Sequence, residues 1–321
     1  MNKLQFKTKK SKILVVGDLM VDQYFHGEAN RISPEAPTPV IKINHVEKRL
    51  GGASNVVNNL ANLGSAVSIY GIIGDDDYGN FLKKELQNKK VDVGGLIVDK
   101  NRKTTVKNRV MVGHHQMLRF DEEKEEYISD YTTKKIIRLI IKNIKNFDCI
   151  IISDYDKGVI SEKLVSVIKN VSEENNKIVV VDPKRKHHHL EYGKNSIIKT
   201  NIQNALILAS KVNFNETKDK KEIIKMLCKI NNTNRIILTL GKEGMLCFDN
   251  GKIHKIKNTR KNVFDVTGAG DVALAVFAFC FLSKNNFVKS CTIANKAAGI
   301  KVGHVGTYAP TLKELKLNLI Q

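Results

Sequence analysis

The residues from 265 to 271, Asp-Val-Thr-Gly-Ala-Gly-Asp, have the types and spacing needed to bind an anion, and they lead directly into the apolar run Val272–Leu282. Glycines at 268 and 270 allow a tight turn with exposed backbone N–H groups at a helix start, where the partial positive charge favours a phosphate. The carboxylate of Asp271 would then face the same pocket. Taken alone, Asp271 is also consistent with ordinary helix capping. The doubled glycine turn with an acid at each end is more than capping requires.

This pattern predicts phosphoryl transfer, in which a protein places the nucleophile in line and offsets charge that develops on the transferred phosphate. The backbone amides of Gly268, Ala269 and Gly270 can offset that charge, and Asp271 can take the proton from the attacking hydroxyl. The sequence contains no G-x-x-x-x-G-K-[ST] phosphate loop, no G-x-G-x-x-G after the first strand and no H-R-D catalytic loop. We therefore expect a different kinase architecture.

Short apolar runs alternate with helix-like segments along the chain, which predicts an α/β fold with a doubly wound, mostly parallel sheet flanked by helices. A chain of 321 residues, 42% of them hydrophobic, can bury one main core, so we expect a single domain over 1–321. The predicted strands are Ile13–Val16, Val67–Ile73, Cys149–Ile152, Ile178–Val181 and Ile236–Leu240. The predicted helices are Ala53–Leu63, Tyr78–Asn88, Thr132–Asn146, Ser161–Asn175, Lys218–Ile230, Asp271–Leu282 and Lys289–Val302.

Two segments interrupt this alternation. Val40–Val46 and Thr104–Phe120 have partial period-two patterns typical of extended strands, and Gly113-His114-His115 supplies a hairpin turn in the second. These segments are predicted to pair as a small β-sheet lid beside the main domain, approximately over 23–48 and 102–121.

The net charge of +20 would suit nucleic acid or an anionic small molecule. The basic residues are spread along the chain, with local concentrations only at Lys7–Lys12 and Lys184–His189, so most of them are predicted to be solvated. The alternative from another functional class is a non-catalytic protein that binds a small ligand or a nucleic acid. Asp271 with its glycines opposes the silent version, and the lack of a recognised nucleic-acid motif opposes the other. Survival of DNA affinity at moderate salt would discriminate between them.

Other features indicate a reduced, cytoplasmic protein without a membrane partner. The longest apolar run, Val272–Leu282, is too short to cross a bilayer, and no signal peptide is predicted. Adjacent histidines such as His187-His-His189 rarely converge on one ion, so no metal site is expected there. The cysteines lie far apart without a C-x-x-C pair and are predicted to be reduced core residues: Cys149, Cys228, Cys247, Cys280 and Cys291.

Several motifs identify the chain as similar to ribokinase-like carbohydrate kinases. The segment at 265–271 resembles their signature, Gly51-Gly-Ala-Ser-Asn-Val56 their N-terminal glycine motif, and Val16–Asp22 their first-strand substrate motif. The resemblance runs from Lys12 to about Leu315. Three more segments resemble the branch that phosphorylates D-glycero-β-D-manno-heptose 7-phosphate: Arg31–Val40, Ser153–Gly158 and Ala294–Gly299.

The resemblance implies transfer of the ATP γ-phosphate, with Mg²⁺, to the anomeric hydroxyl of the heptose 7-phosphate, giving the 1,7-bisphosphate used for lipopolysaccharide core precursors. The alternative is a related kinase for another sugar, sugar phosphate or nucleoside. Such enzymes are commonly fused to a nucleotidyltransferase; none is recognised in this sequence, so we expect a separate protein to supply that step. A homodimer through the lid is also implied.

The same resemblance assigns roles to individual residues. The acid of the family's N-x-x-E motif, which is connected with magnesium and phosphate handling, is replaced here by Asn204, so how the metal is held is left open. The predicted substrate-binding residues are Asp18, Asp22, Glu35, Gly51, Gly52, Asn55, Arg109, Arg119 and Lys157, the basic ones as a receptor for the sugar phosphate. The predicted nucleotide-binding residues are Asn201, Asn204, Thr239, Gly241, Gly244 and Asn295.

Overall fold

A computed structural model describes residues 11–212, 219–258 and 263–320, without the side chains of 317–320. In chain order the strands are β1 (Lys12–Gly17), β2 (Leu19–Ile32), β3 (Pro39–Gly52), β4 (Ala66–Gly74), β5 (Asp92–Asp99), β6 (Thr105–Val112), β7 (His115–Glu122), β8 (Cys149–Ser153), β9 (Ile178–Asp182), β10 (Ser196–Asn201), β11 (Arg235–Thr239), β12 (Met245–Asp249) and β13 (Lys252–Ile256). The α-helices are α1 (Ala53–Asn62), α2 (Asp77–Asn88), α3 (Asp130–Asn143), α4 (Glu162–Glu174), α5 (Ile202–Lys211), α6 (Lys220–Asn231), α7 (Ala269–Leu282), α8 (Phe287–Lys301) and α9 (Leu312–Ile320).

The larger sheet has the order β13-β12-β11-β10-β9-β8-β1-β4-β5. The pairings from β11 to β5 are parallel, and β12 and β13 are added antiparallel at one edge. The chain leaves β1 toward β4 on one side and returns to β8 on the other. Open sheets of this kind bind ligands at the carboxyl ends of the strands where the order reverses. The predicted doubly wound α/β fold is confirmed.

Two apolar layers cover the larger sheet because successive strand residues point to opposite faces. Ile13 and Val15 of β1 pack in one core with α1, α7 and α8, and Leu14 and Val16 pack in the other with α3, α4 and α6. Helix α7 is apolar on all sides and its residues from 271 to 280 are buried, as expected of a helix enclosed by protein. No helix of the described residues is long and apolar enough to cross a membrane.

The second sheet has four strands in the order β3-β2-β6-β7, and we call it the small sheet. It starts one residue after Asp18, where β1 leads into β2, and it returns to the larger sheet where β3 leads into α1. Its strands extend beyond the predicted boundaries, so Asp22 lies within β2 and not in a loop after the first strand. The turn between β6 and β7 is Gly113-His114, since His115 already belongs to β7.

Candidate active site

The glycine turn at 268–270 takes the conformation that its sequence predicts. Gly268 has a φ of 77° in the left-handed region and directly precedes α7. A Cβ on Gly268 would lie 2.9 Å from the side-chain nitrogen of Asn55, so this position needs glycine both for its backbone and for space. The Ala269 N–H donates to the carbonyl of Val266 at 3.1 Å, whereas the N–H groups of Gly268 and Gly270 have no backbone acceptor among the described residues. The turn therefore supplies donors and a positive helix end for an anion.

Asp271 lies in the first turn of α7, and its carboxylate is positioned by two side chains. Asn55 Nδ2 donates to Asp271 Oδ2 at 2.7 Å, and the Tyr155 hydroxyl donates to Oδ1. Gly268 at the N-cap has no side chain, and Asp271, as the acid of the first turn, also complements the positive end of α7. Burial raises the pKa of Asp271, although both hydrogen bonds and the charge of Lys199 act in the opposite direction.

A cavity of about 680 Å³ opens in front of Asp271, between the larger sheet and the small sheet. Its charged lining is mainly basic, because six cations and three carboxylates border it. The small sheet supplies three of the cations, so both the larger sheet and the small sheet contribute residues to this cavity. The cations are Lys107, Arg109, Arg119, Lys157, Lys184 and Lys199, and the carboxylates are Asp22, Asp182 and Asp271.

Two of these cations form buried ion pairs inside the cavity wall. Arg109 Nη1 lies 2.6 Å from Asp22 Oδ1, and Lys199 Nζ lies 2.6 Å from Asp182 Oδ2. Lys184 Nζ lies 4.8 Å from the ring centroid of Tyr155, and no carboxylate of the described residues is within 4.0 Å of it. Lys107, Arg119 and Lys157 pair with carboxylates that do not line the cavity, Asp121, Glu123 and Glu125, so these cations would bind a ligand alongside or in place of those partners.

A second cavity of about 490 Å³ adjoins the first, and both are lined by Thr239, Gly241, Val266 and Gly270. Its other walls are mostly apolar, including Met245, Ala273, Ala298 and Val302. Gly244 and Asn295 also line it, and Asn295 Nδ2 donates to the carbonyl of Lys257 at 3.1 Å. The arrangement suits a flat apolar ring beside a polar chain that runs toward the glycine turn.

Several predicted substrate residues do line the larger cavity: Asp22, Gly52, Arg109, Arg119 and Lys157. Asn55 does not line this cavity, but its side chain donates a hydrogen bond to Asp271, which does. Gly51 packs against Asp22 instead, since a Cβ there would lie 2.5 Å from the carboxylate. Glu35 is exposed in the connection between β2 and β3 and lines neither cavity.

Asp18 does not line the larger cavity, contrary to the expected contact with a polyol. Its carboxylate accepts backbone N–H groups from Tyr155 at 2.8 Å, Lys157 at 3.2 Å and Val159 at 3.0 Å. Burial and the negative charge of Asp154 raise its pKa to about 6 despite these bonds. Asp18 therefore fixes the segment that carries Tyr155 and Lys157.

The predicted nucleotide residues divide between the two cavities. Asn201 lines the larger one, and its side chain caps α5 by accepting from the backbone N–H of Asn204 at 2.8 Å. Asn204 is buried on α5 and lines neither cavity. The local reason is that the N-terminal turn of α5 directs residue 204 inward while residue 201 stays at the strand end.

Sequence reasoning missed five charged or aromatic residues of the larger cavity: Lys107, Tyr155, Asp182, Lys184 and Lys199. Asp182 and Lys184 flank Pro183 at the end of β9, and Lys199 lies near the end of β10. Their position at the carboxyl ends of parallel strands was the available signal.

Two of the three consecutive histidines, His187 and His188, are buried and contact different partners. His187 Nδ1 lies 2.7 Å from Asp154 Oδ2, and its Nε2 lies 3.0 Å from the Tyr127 hydroxyl. Burial lowers the pKa of His187, but the hydrogen bond and charge of Asp154 outweigh it and raise the pKa overall. His188 Nε2 contacts the Thr200 hydroxyl at 2.7 Å. Asp154, Asp156 and His187 could offer a cation ligand atoms that lie within 4.8 Å of one another, and both ring nitrogens of His187 have protein partners.

Lys301 and Asp265 fix the loop in front of the glycine turn. Lys301 is fully buried, and its ammonium donates to the carbonyls of Asp265 at 2.7 Å and His304 at 3.2 Å. Burial lowers the pKa of Lys301 to about 8. The Asp265 carboxylate accepts the backbone N–H groups of Thr267 at 2.8 Å and Gly306 at 2.6 Å. Asp265, the acid at the start of the motif, therefore stabilises the backbone of this loop.

Tyr155→Phe tests the hydrogen bond to Asp271 through pH dependence. A base works only when it is deprotonated, so kcat should be lost as pH falls through the pKa of Asp271. The Tyr155 hydroxyl lowers that pKa, so its removal should shift the acidic limb of the kcat profile to higher pH. Tyr131→Phe, at an exposed tyrosine of α3, is the control. An unchanged acidic limb would mean that Tyr155 does not tune Asp271.

The sequence of this chain is similar to that of known proteins. A family model described as pfkB family carbohydrate kinase matches residues 10–314. The bifunctional protein HldE of Aliarcobacter butzleri is 38% identical over 311 residues, which cover 96% of this chain and 64% of the relative. HldE of Helicobacter hepaticus is 36% identical over 312 residues, with the same coverage of 96% and 64%. The chain thus spans just under two thirds of the length of these relatives.

Solved structures share the fold at low sequence identity. Phosphofructokinase-2 from Escherichia coli superposes with a TM-score of 0.79 and 16% identity, covering 97% of this chain and 99% of that one. Ribokinase from Thermotoga maritima has a TM-score of 0.74 and 17% identity, covering 96% and 99%.

Proposed function

The chain belongs to the pfkB family of carbohydrate kinases, and from that premise we propose that it phosphorylates the anomeric hydroxyl of D-glycero-β-D-manno-heptose 7-phosphate. It is an ATP-dependent sugar kinase, and the product of the proposed reaction is the 1,7-bisphosphate, a precursor of the lipopolysaccharide core. The similarity to HldE proteins over almost the whole chain supports this sugar among the many that the family uses.

The observation that carries the proposal is the charge of the larger cavity. A neutral sugar needs only hydrogen-bonding groups, whereas a sugar phosphate also needs cations. Lys107, Arg119, Lys157 and Lys184 line the cavity in addition to Arg109 and Lys199. Lys107, Arg119 and Lys157 pair with carboxylates that do not line the cavity, namely Asp121, Glu123 and Glu125, and a phosphate could displace these partners. The hydroxyl to be phosphorylated would lie at Asp271, with the substrate's own phosphate toward the small sheet.

The residues around the glycine turn have separate tasks in the proposed reaction. Asp271 accepts the proton of the anomeric hydroxyl, and Asn55 and Tyr155 hold its carboxylate in place. The N–H groups of Gly268 and Gly270 are the donors proposed for the charge that develops on the transferred phosphate, whereas the Ala269 N–H, also expected to serve, already donates to the carbonyl of Val266. The apolar cavity beside Ala273 and Val302 suits the adenine ring of ATP, and the shared wall at Gly241 and Gly270 leads its phosphates to the turn.

Magnesium is expected to arrive bound to the phosphates of ATP. Asn204 lacks the carboxylate of the family motif and lines neither cavity. The cavity carboxylates of Asp22 and Asp182 are paired with Arg109 and Lys199. Mg²⁺ is commonly held by substrate phosphates and water with few protein ligands, which fits this arrangement.

The small sheet is proposed to act as a lid and as the contact between two copies. Lys107, Arg109 and Arg119 reach the cavity from it. Large apolar side chains are exposed on its strands, which a second copy could cover. They are Ile32, Ile43, Val46, Met117, Leu118 and Phe120.

ATP consumption with a panel of sugars tests the proposed substrate. The heptose 7-phosphate should give a kcat/KM at least about 100-fold higher than the free heptose, because a charge-assisted hydrogen bond contributes about 1.5–3 kcal/mol and the cavity offers more than one. Phosphorus NMR should place the new phosphate on the anomeric oxygen. Fructose 6-phosphate and ribose are the comparison substrates. Equal kcat/KM for the phosphorylated and free heptose would contradict a phosphate receptor.

A further inference from the structure

A carboxylate from the small sheet's last connection lies between two lysines of the larger cavity. Glu123 directly follows β7, and its Oε1 lies 2.7 Å from Lys157 Nζ while its Oε2 lies 3.5 Å from Lys107 Nζ. Lys107 belongs to β6 and Lys157 to the segment after β8, yet both line the cavity and both reach the same carboxylate. Two ammonium groups on two oxygens of one anion is an arrangement in which a phosphate could replace the carboxylate.

We propose that Lys107 and Lys157 bind the phosphate of the substrate and that Glu123 is a built-in competitor, which the phosphate displaces. This inference rests on the proposed function, because it assigns the receptor for a substrate that is already phosphorylated. It adds to that function a residue that weakens the binding of every anion, so that an anion without further contacts in the cavity binds poorly.

The exposure of the three side chains favours this exchange. Lys157 and Lys107 are 9% and 14% exposed, so they are held by the protein, whereas Glu123 is 24% exposed and its carboxylate can turn toward water. The backbone around Glu123 does not have to move. The Arg102 guanidinium donates to the carbonyls of Lys124, Glu126 and Lys157, which ties this connection to the segment that carries Lys157.

Charge also favours the exchange when the whole substrate is present. A phosphate monoester has a charge of about −1.5 to −2 near neutral pH, whereas Glu123 contributes −1, so the two lysines attract the phosphate more strongly. Inorganic phosphate gains only this stronger attraction to the two lysines. A sugar phosphate also gains the contacts of its ring and hydroxyls in the cavity. Displacing Glu123 costs both ligands the same free energy, so the sugar phosphate still binds through its other contacts, whereas a simple anion is held too weakly to occupy the site.

Glu123→Gln is the first test, since it keeps the size of the side chain and removes its charge. The KM for the heptose 7-phosphate should fall about three- to ten-fold, the range expected when a partly buried ion pair no longer competes. Inhibition by inorganic phosphate should strengthen by a similar factor. Turnover at saturating substrate should stay within about two-fold, because Glu123 does not contact Asp271. Glu126→Gln is the matched control: it lies in the same segment and its carboxylate pairs with Lys124.

A binding measurement separates failure of this inference from failure of the proposed substrate. Inorganic phosphate, titrated calorimetrically without nucleotide or sugar, should bind Glu123→Gln and Glu123→Ala more tightly than the parent protein. Adding Lys107→Met to Glu123→Gln should remove the gain. These results stand even if another sugar phosphate proves to be the substrate. Unchanged or weaker phosphate binding in both Glu123 variants, or an equal fall in KM for the free heptose, would overturn the competitor.

Discussion

Asp271→Asn is expected to lower kcat by about 10²- to 10⁴-fold, the contribution of a positioned general base, while the affinity for ATP changes little. Asparagine keeps the size of the side chain and can still contact Asn55 and Tyr155, so the cavity should retain its shape. Burial raises the pKa of Asp271, which means that the charged form costs folding free energy at pH values above that pKa. The neutral variant should therefore be at least as stable as the parent protein at neutral pH, and its loss of activity cannot be attributed to unfolding.

The matched control for Asp271→Asn is Asp130→Asn. Asp130 also lies in the first turn of a helix, α3, but it is exposed and pairs with Lys134 and Lys163. Its kcat should equal that of the parent protein. A near-normal kcat for Asp271→Asn would leave Asp271 as a structural residue. Asp265 is then the next candidate by sequence, although its carboxylate already accepts two backbone N–H groups.

The fold could be predicted because its signal is local and repeated. Buried parallel strands are short apolar runs, and each predicted run overlaps a strand of the larger sheet. The elements missed in the two main layers were strands β5, β10, β12 and β13 and helices α5 and α9. Strand β10 contains Lys199 and Asn201, and the polar start of α5 was assigned to a motif. The β12–β13 hairpin had a usable signal, because Asn250 and Gly251 both take positive φ in its turn.

The site could be predicted only where one motif contains all the partners. Gly268 and Asp271 are neighbours in sequence, so their joint role was visible. Asp18 was expected to reach the ligand, but its three backbone donors lie 137 to 141 residues away and no local pattern indicates them. Lys199 was missed for the same reason. Lys199 is a single lysine within a strand, and its place in the site becomes visible only when the fold places Asp182 of β9 beside it.

Lys199→Met is expected to lower kcat by about 10²- to 10³-fold, comparable to the loss of one donor that stabilises transition-state charge. Lys199 Nζ lies 3.0 Å from the position that a Cβ on Gly270 would occupy, which places its charge beside the N-terminus of α7. Its ammonium also favours the charged form of Asp271 and so helps to keep the base deprotonated. Both effects act on the transfer step, so kcat should change more than the KM for the sugar. Lys225→Met, at an exposed lysine of α6, is the control.

The ion pair with Asp182 requires a second variant, because Lys199→Met leaves a buried carboxylate without its partner. The two side chains are 7% and 13% exposed, and breaking a pair this buried typically costs about 3–5 kcal/mol of unfolding free energy, which urea denaturation would measure. The double variant Lys199→Met with Asp182→Asn removes the unpaired charge and should recover most of that stability. If Lys199 acts on the transferred phosphate, the double variant stays as slow as Lys199→Met. Recovery of kcat together with stability would instead show that Lys199 only neutralises Asp182, and the amides of Gly268 and Gly270 would then be left as the main stabilisers of the developing charge.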